Sequence, residues 1–336
     1  MMIGSSTGKR IGIVGATGAV GVELLRTMEK RQFPVSDLRL LASPRSQGKT
    51  MIFRQQEHPV QLLDADAFAD LDLVFFSAGA GRSIEFAPAA VKAGAVVVDN
   101  SSAFRMDAQV PLVIPEINPD DAKKHQGIIA NPNCTTAITL MAAGPLHAAF
   151  GLTRMVVASY QAVSGSGAQG IVELDEQMKA QVEGRALEPK VYPFPILSNV
   201  IPQVDVFLEN GYTKEEMKML HEARKILHHE SLRVSMTCVR VPVHRAHSVA
   251  VSAEFEKTVS PEVARRVLNS APGLQVVDDP PGAKYPLPRD WAGQDDCAVG
   301  RIRQDLAFDN GLSFWVCGDQ LLKGAALNAV QIAELL

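Results

Sequence analysis

A short apolar strand that runs into three closely spaced glycines constrains the fold more than any other feature of the chain. Lys9 to Val14 has the composition of a buried strand, and the next residues read Gly15-Ala16-Thr17-Gly18-Ala19-Val20-Gly21. Apolar residues then recur at helical spacing, namely Val20, Leu24, Leu25 and Met28. A further strand is predicted over Leu38 to Ala42. A strand, a glycine turn, a helix and a second strand form the opening unit of a dinucleotide-binding fold.

The glycine turn predicts a binding site for the pyrophosphate of a dinucleotide. Glycines let the backbone approach the phosphates, and the N–H groups and dipole of the following helix favour negative charge there. The spacing here is G-x-x-G-x-x-G rather than the commoner G-x-G-x-x-G, so a tight turn without a ligand is the alternative. The residues expected to contact the cofactor are Gly15, Thr17, Gly18, Ala19 and Val20.

The end of the second strand predicts which cofactor binds. A site specific for NAD usually has an acid there that binds the ribose 2′-hydroxyl. This chain instead has Ala42-Ser43-Pro44-Arg45-Ser46. Arg45 and Ser46 could hold a 2′-phosphate through charge-assisted hydrogen bonds, which favours NADP(H). The alternative is that Arg45 is a solvated loop arginine.

The later segments predict two domains within the α/β class. Apolar runs at Leu73–Phe76 and Val96–Val98, with a crossover helix over 83–92 between them, continue a parallel sheet. Beyond Thr153, segments such as 155–163 and 248–255 alternate between apolar and more polar residues, which is typical of half-buried strands in a mixed or antiparallel sheet. We therefore expect a Rossmann-type NADP-binding domain over 1–133, completed by a C-terminal helix over 321–336. The second domain, 134–320, is expected to be α+β, with a loop over 278–291.

Composition excludes several classes of protein. The 336 residues carry 33 basic and 37 acidic side chains, a net charge of −4 without long blocks of one sign. This balance argues against nucleic-acid and membrane partners, and no apolar run reaches the ~18 residues that span a bilayer. The four cysteines show no metal-finger spacing. We expect a cytoplasmic protein without a bound metal or disulfides, in which the last three cysteines are buried.

Cys134 is the strongest candidate nucleophile. It lies between Asn133 and Thr135, after a predicted strand at Ile128–Ile129 and before an apolar helix that continues from Ala137. A cysteine at a helix N-terminus has a lowered pKa, and its thiolate is the nucleophile that acyl transfer needs. Backbone N–H groups near it are expected to stabilise oxyanions. A buried packing cysteine is the alternative.

Four motifs together resemble one known family. They are the glycine turn, Asn131-Pro-Asn-Cys-Thr-Thr136, Ser159-Tyr-Gln-Ala-Val-Ser-Gly-Ser-Gly167, and Arg240-Val-Pro-Val-His-Arg-Ala-His247. The chain is similar to aspartate-semialdehyde dehydrogenases, and the motifs follow the family's order across nearly the whole chain. The resemblance implies that Cys134 forms an acyl thioester, that His247 is the acid/base, and that Gln161 orients the acyl group.

The resemblance also implies roles in binding. Arg240 would pair with the substrate α-carboxylate, Arg105 and Lys218 with the phosphate, and Glu216 with the substrate amino group. Asn133 would also contact the substrate. Ser164, Gly165 and Gln320 would lie near the cofactor, and Gln320 departs from the asparagine common in the family.

The implied activity is NADPH-dependent reduction of L-aspartyl-4-phosphate to L-aspartate-4-semialdehyde and phosphate, with His247 taking the hydroxyl proton as the aldehyde forms. This step leads to lysine and diaminopimelate, threonine, methionine and isoleucine, and a homodimer formed through the second domain's sheet is expected. One rival is another acyl-phosphate reductase, such as N-acetylglutamyl-phosphate reductase. Asn133 and Thr135 replace the glycine and aromatic residue of that family. A catalytically silent NADP-binding regulator is the second rival, and the presence of both Cys134 and His247 argues against it.

Overall fold

The computed structural model describes residues 8–336, which divide into two compact units. The first runs up to Pro132 and resumes over Ala325–Leu336, and the second is Asn133–Gly324. The first junction thus lies one residue before the predicted boundary. The C-terminal return begins at Ala325 rather than at residue 321.

The first unit is built on a seven-stranded sheet. Its strands are β1 (Lys9–Val14), β2 (Val35–Ala42), β3 (Thr50–Phe53), β4 (Gln56–Leu62), β5 (Leu73–Phe76), β6 (Val96–Asp99) and β7 (Ile128–Ala130). The order is β3-β4-β2-β1-β5-β6-β7, and all neighbours are parallel except β3 and β4. The sequence did not predict this hairpin because Arg54 and Gln55, both at positive φ, form its turn without the usual Asn-Gly or Asp-Gly signal.

Helices cover the sheet of the first unit. Helix α1 is Ala19–Lys30 and α2 is Ala80–Lys92, so the crossover helix begins three residues before the predicted Ser83. Short 3₁₀ turns occupy Pro44–Ser46 and Pro119–Lys124. The C-terminal helix, Leu327–Glu334, buries its apolar residues in the same core as α1, so the end of the chain completes this unit.

The second unit contains a mixed six-stranded sheet, as expected. Its strands are β8 (Leu152–Gln161), β9 (Arg233–Arg240), β10 (His247–Phe255), β11 (Leu274–Val276), β12 (Cys297–Gln304) and β13 (Gly311–Gly318). The order is β11-β12-β13-β10-β8-β9. Its helices are α3 (Cys134–Phe150), α4 (Ala168–Val182), α5 (Lys214–Ile226), α6 (Pro261–Asn269) and α7 (Pro288–Trp291). The segment 278–291, which its prolines predicted to be a loop, therefore ends in the short helix α7.

Helix α3 brings the candidate nucleophile to the sheet. It is buried on almost every side and packs against β8, β10 and β13. Its first turn is capped by Asn133, whose Oδ1 accepts the N–H groups of Thr135 (3.0 Å) and Thr136 (3.2 Å). Because of this cap, the helix begins at Cys134. Over residues 8–336, no helix combines the length and the apolar character that crossing a bilayer requires.

Strand β10 alternates as its sequence predicts. Val249, Val251 and Ala253 are buried, whereas Ala250 and Ser252 are only partly covered. The buried set faces α3 and the other set lies on the opposite face of the sheet. This alternation fixes the register of β10 and places His247 at its first position.

Candidate active site

Cys134 and His247 meet at the centre of the site. Cys134 is the first residue of α3 and His247 the first of β10, and Cys134 Sγ lies 3.6 Å from His247 Nε2. The cysteine is half-buried, and the histidine is 0% exposed. A thiol beside an imidazole at a capped helix N-terminus is an arrangement that suits covalent catalysis.

His247 is held as a neutral ring. Its Nδ1 accepts the backbone N–H of Ala162 at 3.1 Å. Burial lowers the pKa of His247 to about 3, the Arg240 charge adds to the lowering, and the Glu215 carboxylate opposes it. At neutral pH the ring therefore carries a single proton.

The backbone before His247 has an uncommon conformation. Ala246 has a φ of 71°, which costs free energy for a residue with a Cβ. Its N–H donates to Gln320 Oε1 at 2.9 Å, and Gln320 Nε2 donates to Ser164 Oγ. Gln320 and Ser164, which the resemblance placed near the cofactor, therefore contact each other, and Gln320 also contacts the backbone just before His247. Arg245 adds an ion pair to the buried Asp319 at 2.5 Å.

Gln161 lies beside the nucleophile. It is 1% exposed, and its Nε2 donates to Thr135 Oγ1 (2.7 Å) and Glu215 Oε1 (3.1 Å). Within residues 8–336, no partner reaches its buried Oε1. A buried acceptor without a donor is costly, so a ligand with an N–H or O–H group would stabilise this position.

Arg240 lies next to His247 because glycine occupies position 165. A Cβ on Gly165 would come within 2.7 Å of Arg240 Nη1 and 3.0 Å of His247 Cε1. Arg240 is 5% exposed, and its Nη1 donates to the carbonyl of Ala162 at 2.6 Å. Its guanidinium also lies over the Tyr192 ring. Gly165 thus permits the close packing of Arg240 and His247.

The glycine turn of the first unit has the geometry of a phosphate cradle. Gly15 has a φ of 86°, and a Cβ there would lie 2.4 Å from the carbonyl oxygen of Ser77. Helix α1 begins at Ala19, and Gly18 before it provides no side-chain cap, which leaves the first N–H groups of the helix suited to an anion. Thr17 Oγ1 lies 3.1 Å from Ser46 Oγ, and Arg45 is exposed beside it.

Arg105 is buried, and its guanidinium is hydrogen-bonded to backbone carbonyl groups. Arg105, in the first unit, is 7% exposed, and its guanidinium donates to the carbonyl oxygens of Asn131 and Asn100, each at 2.9 Å. Its phosphate role stays a prediction.

The three other cysteines are buried, as expected, namely Cys238, Cys297 and Cys317. Burial raises the pKa of Cys317 to about 12 and raises that of Cys238 as well.

Comparison with known proteins identifies the family of this chain. Residues 10–125 match the family model described as semialdehyde dehydrogenase, NAD binding domain, and residues 143–323 match semialdehyde dehydrogenase, dimerisation domain. An aspartate-semialdehyde dehydrogenase of Aquifex aeolicus is 52% identical over 98% of both chains. The chain belongs to the aspartate-semialdehyde dehydrogenase family.

Solved structures of other aspartate-semialdehyde dehydrogenases share the fold. The chain matches aspartate semialdehyde dehydrogenase II from Vibrio cholerae, complexed with ASA, with a TM-score of 0.96 and 43% identity over 98% of both chains. The aspartate semialdehyde dehydrogenase with NADP from Candida albicans matches with a TM-score of 0.76 and 26% identity over 98% of both chains. The resemblance seen in the sequence motifs is thereby confirmed.

One carboxylate assigned from the aspartate-semialdehyde dehydrogenase motifs does not face the site. Glu216 Oε2 accepts the N–H of Thr213 at 2.7 Å, and Oε1 accepts the N–H of Cys238 at 2.9 Å. Thr213 and Glu216 form a capping box at the start of α5. Both oxygens of Glu216 are therefore engaged by the backbone, which argues against its expected contact with the substrate amino group, and that assignment stays a prediction.

The adjacent Glu215 faces the site instead. Its Oε1 accepts from Asn133 Nδ2 (2.9 Å) and Gln161 Nε2 (3.1 Å), and its Oε2 accepts from Lys218 Nζ at 2.8 Å. Burial alone would raise the pKa of Glu215, but Lys218 and the three hydrogen bonds outweigh it and lower the pKa to about 2. A fixed negative charge thus lies between Lys218 and Gln161.

Glu222 is a residue that sequence reasoning missed. It lies on α5, is 1% exposed, and its Oε2 accepts the N–H of Asn133 at 2.6 Å. Asn133 is therefore held by Glu215 and Glu222 on one side and caps α3 on the other. No spacing rule links residues this far apart in the chain. The expected substrate contact of Asn133 stays a prediction, whereas its role in positioning Cys134 follows from these bonds.

The two adjacent glutamates can be separated by experiment. We expect Glu215→Gln to raise the KM for aspartate semialdehyde by roughly ten- to a hundredfold, since a charge-assisted contact contributes about 1.5–3 kcal/mol. Succinic semialdehyde, which lacks the amino group, should show a much smaller change. The matched variant Glu216→Gln should instead lower the melting temperature and leave this KM nearly unchanged. A reversed pattern in steady-state kinetics would return the amino-group role to Glu216.

Proposed function

We propose that this chain catalyses the NADPH-dependent reduction of L-aspartyl-4-phosphate to L-aspartate-4-semialdehyde and phosphate through a thioester on Cys134. The observation that carries the proposal is the 3.6 Å contact between Cys134 Sγ and the Nε2 of a buried, neutral histidine. Membership of the family supports the activity. Its product would feed lysine, diaminopimelate, threonine, methionine and isoleucine synthesis, and we place the reaction in the cytoplasm.

The proposed reaction has two steps, acylation of Cys134 and release of the aldehyde from it. In the first, the Cys134 thiolate attacks the acyl carbon, and phosphate departs toward Arg105 and Lys218 as the C–S bond forms. When bound, NADPH supplies a hydride to the thioester carbon. In the second step the resulting Cys134 thiohemiacetal oxyanion collapses, the C–S bond breaks, and the aldehyde leaves. Gln161, fixed by Thr135 and Glu215, orients the acyl group in both steps.

Opposite charges at the site favour an amino acid as substrate. The Arg240 guanidinium offers planar donors to an α-carboxylate, and the Glu215 carboxylate can pair with an ammonium group. An N-acetylated substrate has no ammonium for Glu215 to bind. The charge at position 215 therefore favours aspartyl phosphate over N-acetylglutamyl phosphate.

A direct assay tests the proposed function. The purified chain is mixed with NADP⁺, phosphate and aspartate semialdehyde, and formation of NADPH is followed. We expect phosphate-dependent turnover with this aldehyde and a kcat/KM at least about a hundredfold lower with N-acetylglutamate semialdehyde, because one buried charge pair is lost. Preference for the acetylated aldehyde would favour the rival reductase. An absence of turnover with both would favour a silent cofactor-binding protein.

The glycine turn and its neighbours support NADP(H) as the cofactor. The uncapped start of α1 and the close approach at Gly15 suit a pyrophosphate. Arg45 and Ser46 lie where an NAD-specific site would have an acid. The Candida albicans relative was solved with NADP, which is consistent with this choice.

Arg45→Ala should separate the two nicotinamide cofactors. We expect the KM for NADPH to rise roughly ten- to a hundredfold, since a charge-assisted contact contributes about 1.5–3 kcal/mol. The KM for NADH, which lacks the 2′-phosphate, should change little. Initial rates with both cofactors give the comparison. Equal increases for both would mean that Arg45 has a structural role only.

The sheet of the second unit supports a homodimer. The face opposite α3 carries exposed apolar side chains, among them Val156 at 51% and Tyr160 at 38% exposure. A cavity of about 510 Å³ opens on this face between Ala158, Ala250 and Trp315. An apolar sheet face of this kind is a typical protein interface, and the second unit matches a dimerisation domain. Sedimentation as a monomer at micromolar concentration would contradict the proposal.

A further inference from the structure

We propose that Tyr192 is a positioning residue that holds the Arg240 guanidinium in the orientation in which it binds the substrate α-carboxylate. This inference rests on the proposed function and deepens it, because it adds a residue that determines selectivity for a carboxylated aldehyde. Tyr192 would act on the substrate only through Arg240. The segment 190–201, which carries Tyr192, is in turn fixed to helix α4.

The Arg240 guanidinium is restrained on its face and along one edge. Its Cζ lies over the Tyr192 ring, 5.8 Å from the ring centroid, which is within the range of a cation–π contact. Its Nη1 donates to the carbonyl oxygen of Ala162 at 2.6 Å. Among the residues that the structure describes, Ala162 is the only hydrogen-bond partner of this guanidinium. The edge formed by Nε and Nη2 can therefore offer two parallel N–H groups to a carboxylate.

The hydroxyl group of Tyr192 fixes the position of its ring. It donates to the carbonyl oxygen of Val163 at 3.1 Å. Gly170 on α4 leaves room for this bond, because a Cβ there would lie 2.7 Å from the hydroxyl oxygen and 2.3 Å from the Val163 carbonyl oxygen. Burial raises the pKa of Tyr192, so at neutral pH the phenol keeps the proton that it donates.

Two buried side chains of α4 hold the segment 190–201 in place. Glu173 is 4% exposed and Gln177 is 2% exposed, and they lie one helical turn apart. Glu173 Oε2 accepts the N–H groups of the two residues before Tyr192. Gln177 Oε1 accepts those of Ile196 and Leu197, each at 2.9 Å. The backbone on both sides of the tyrosine is thus fixed to α4 by four hydrogen bonds.

The same segment also holds the backbone of Arg240. Ile201 and Arg240 exchange two backbone hydrogen bonds, at 2.9 and 2.8 Å. Ile201 and Ile196 are buried with Leu174 of α4 in a small apolar core, and the Tyr192 ring packs against that core. The segment 190–201 therefore determines the backbone position of Arg240 through Ile201 and the orientation of its guanidinium through Tyr192.

Restraint of the guanidinium strengthens its binding to a carboxylate. An arginine side chain has several rotatable bonds, and ordering them when a ligand binds weakens the affinity. The Arg240 guanidinium is already ordered before the substrate binds, so this loss of entropy does not occur at the binding step. A cation–π contact also leaves the N–H groups of the cation available. Tyr192 therefore strengthens the carboxylate contact without touching the substrate.

Two substitutions at position 192 test the inference. We expect Tyr192→Leu, which removes the ring, to raise the KM for aspartate semialdehyde about three- to thirtyfold, as for the loss of a cation–π contact, with a smaller change in kcat. Tyr192→Phe keeps the ring and should recover most of this loss. Phe194→Leu is the matched control, because Phe194 lies in the same segment but is 60% exposed. The control should change neither constant.

An aldehyde without the carboxylate separates positioning from folding. With 3-aminopropanal, Tyr192→Leu should leave kcat/KM nearly unchanged. In the Arg240→Lys background, Tyr192→Leu should add little to the loss on aspartate semialdehyde, because the ring acts through the guanidinium. An equal loss on both aldehydes, a full additional loss in the double variant, or an unchanged KM in Tyr192→Leu would overturn the proposal.

Arginine side-chain NMR of the wild-type chain gives a second readout that needs neither turnover nor a folded Tyr192 variant. The Nε–H proton of Arg240, assigned by its absence in Arg240→Lys, should lie upfield of its position in free arginine because of the ring current of Tyr192. A signal at the position of free arginine would overturn the proposal. If the wild-type chain failed to turn over aspartate semialdehyde, the proposed function would fail, whereas the contact between ring and guanidinium would still be measured.

Discussion

Replacing Cys134 with alanine is expected to leave less than about a hundredth of the wild-type kcat, because in the proposed mechanism the thiolate forms the covalent intermediate and acid–base assistance alone contributes only ~10²–10⁴. NADPH should bind to the variant nearly as tightly as to the wild type, since Cys134 lies outside the glycine turn. Steady-state kinetics and fluorescence titration with NADPH measure the two effects.

A second cysteine provides the control for this variant. Cys297 is 0% exposed, so Cys297→Ala removes a sulfur from the core of the same unit and leaves the site unchanged. It should lower the melting temperature while keeping most of the activity. Covalent catalysis at position 134 would be untenable if Cys134→Ala kept more than about a hundredth of the wild-type kcat.

Arg240→Lys is expected to be damaging although it keeps the charge. A guanidinium meets the two oxygens of a carboxylate with two parallel N–H groups, and an ammonium cannot do so. The structure adds a second cost, because Arg240 also donates to the Ala162 carbonyl. We expect kcat/KM for aspartate semialdehyde to fall roughly ten- to a hundredfold, the equivalent of about 1.5–3 kcal/mol.

A substrate without the carboxylate separates recognition from folding. With 3-aminopropanal there is no carboxylate contact to lose, so its low kcat/KM should change much less in Arg240→Lys. The same proportional loss on both aldehydes would show that Arg240 holds the backbone at Ala162 rather than the substrate. Arg245, the nearest arginine in sequence, pairs with the buried Asp319, so Arg240 is the stronger candidate for the carboxylate.

Local sequence patterns predicted the helices and strands whose formation depends on neighbouring residues. The apolar run before Gly15, the helical spacing after it and the alternation in β10 all correspond to observed elements. The start of α3 at Cys134 follows from the capping preference of Asn133. Each of these features depends on residues that are close together in the chain.

Sequence analysis failed where two neighbouring residues fit a role equally well, and where the residues in contact are far apart in the chain. Glu215 and Glu216 are adjacent, and only the phase of α5 decides which one faces Gln161. The pair Thr213 and Glu216 carried a capping-box signal that would have assigned Glu216 to the helix start. The bond between Gln320 and Ser164 spans 156 positions, and the N–H of Ala162 belongs to the backbone, so side-chain identity does not reveal either one.

In the proposed mechanism the acyl group passes through Cys134, and this step can be tested by omitting phosphate. Aspartate semialdehyde and NADP⁺ are mixed with the enzyme without phosphate, so that the thioester forms but cannot be released as acyl phosphate. We expect a burst of NADPH equal to the amount of enzyme, and mass spectrometry should find an aspartyl group on the peptide that contains Cys134. NADPH formation without a modified Cys134, or an aspartyl group on another residue, would rule out a thioester at Cys134.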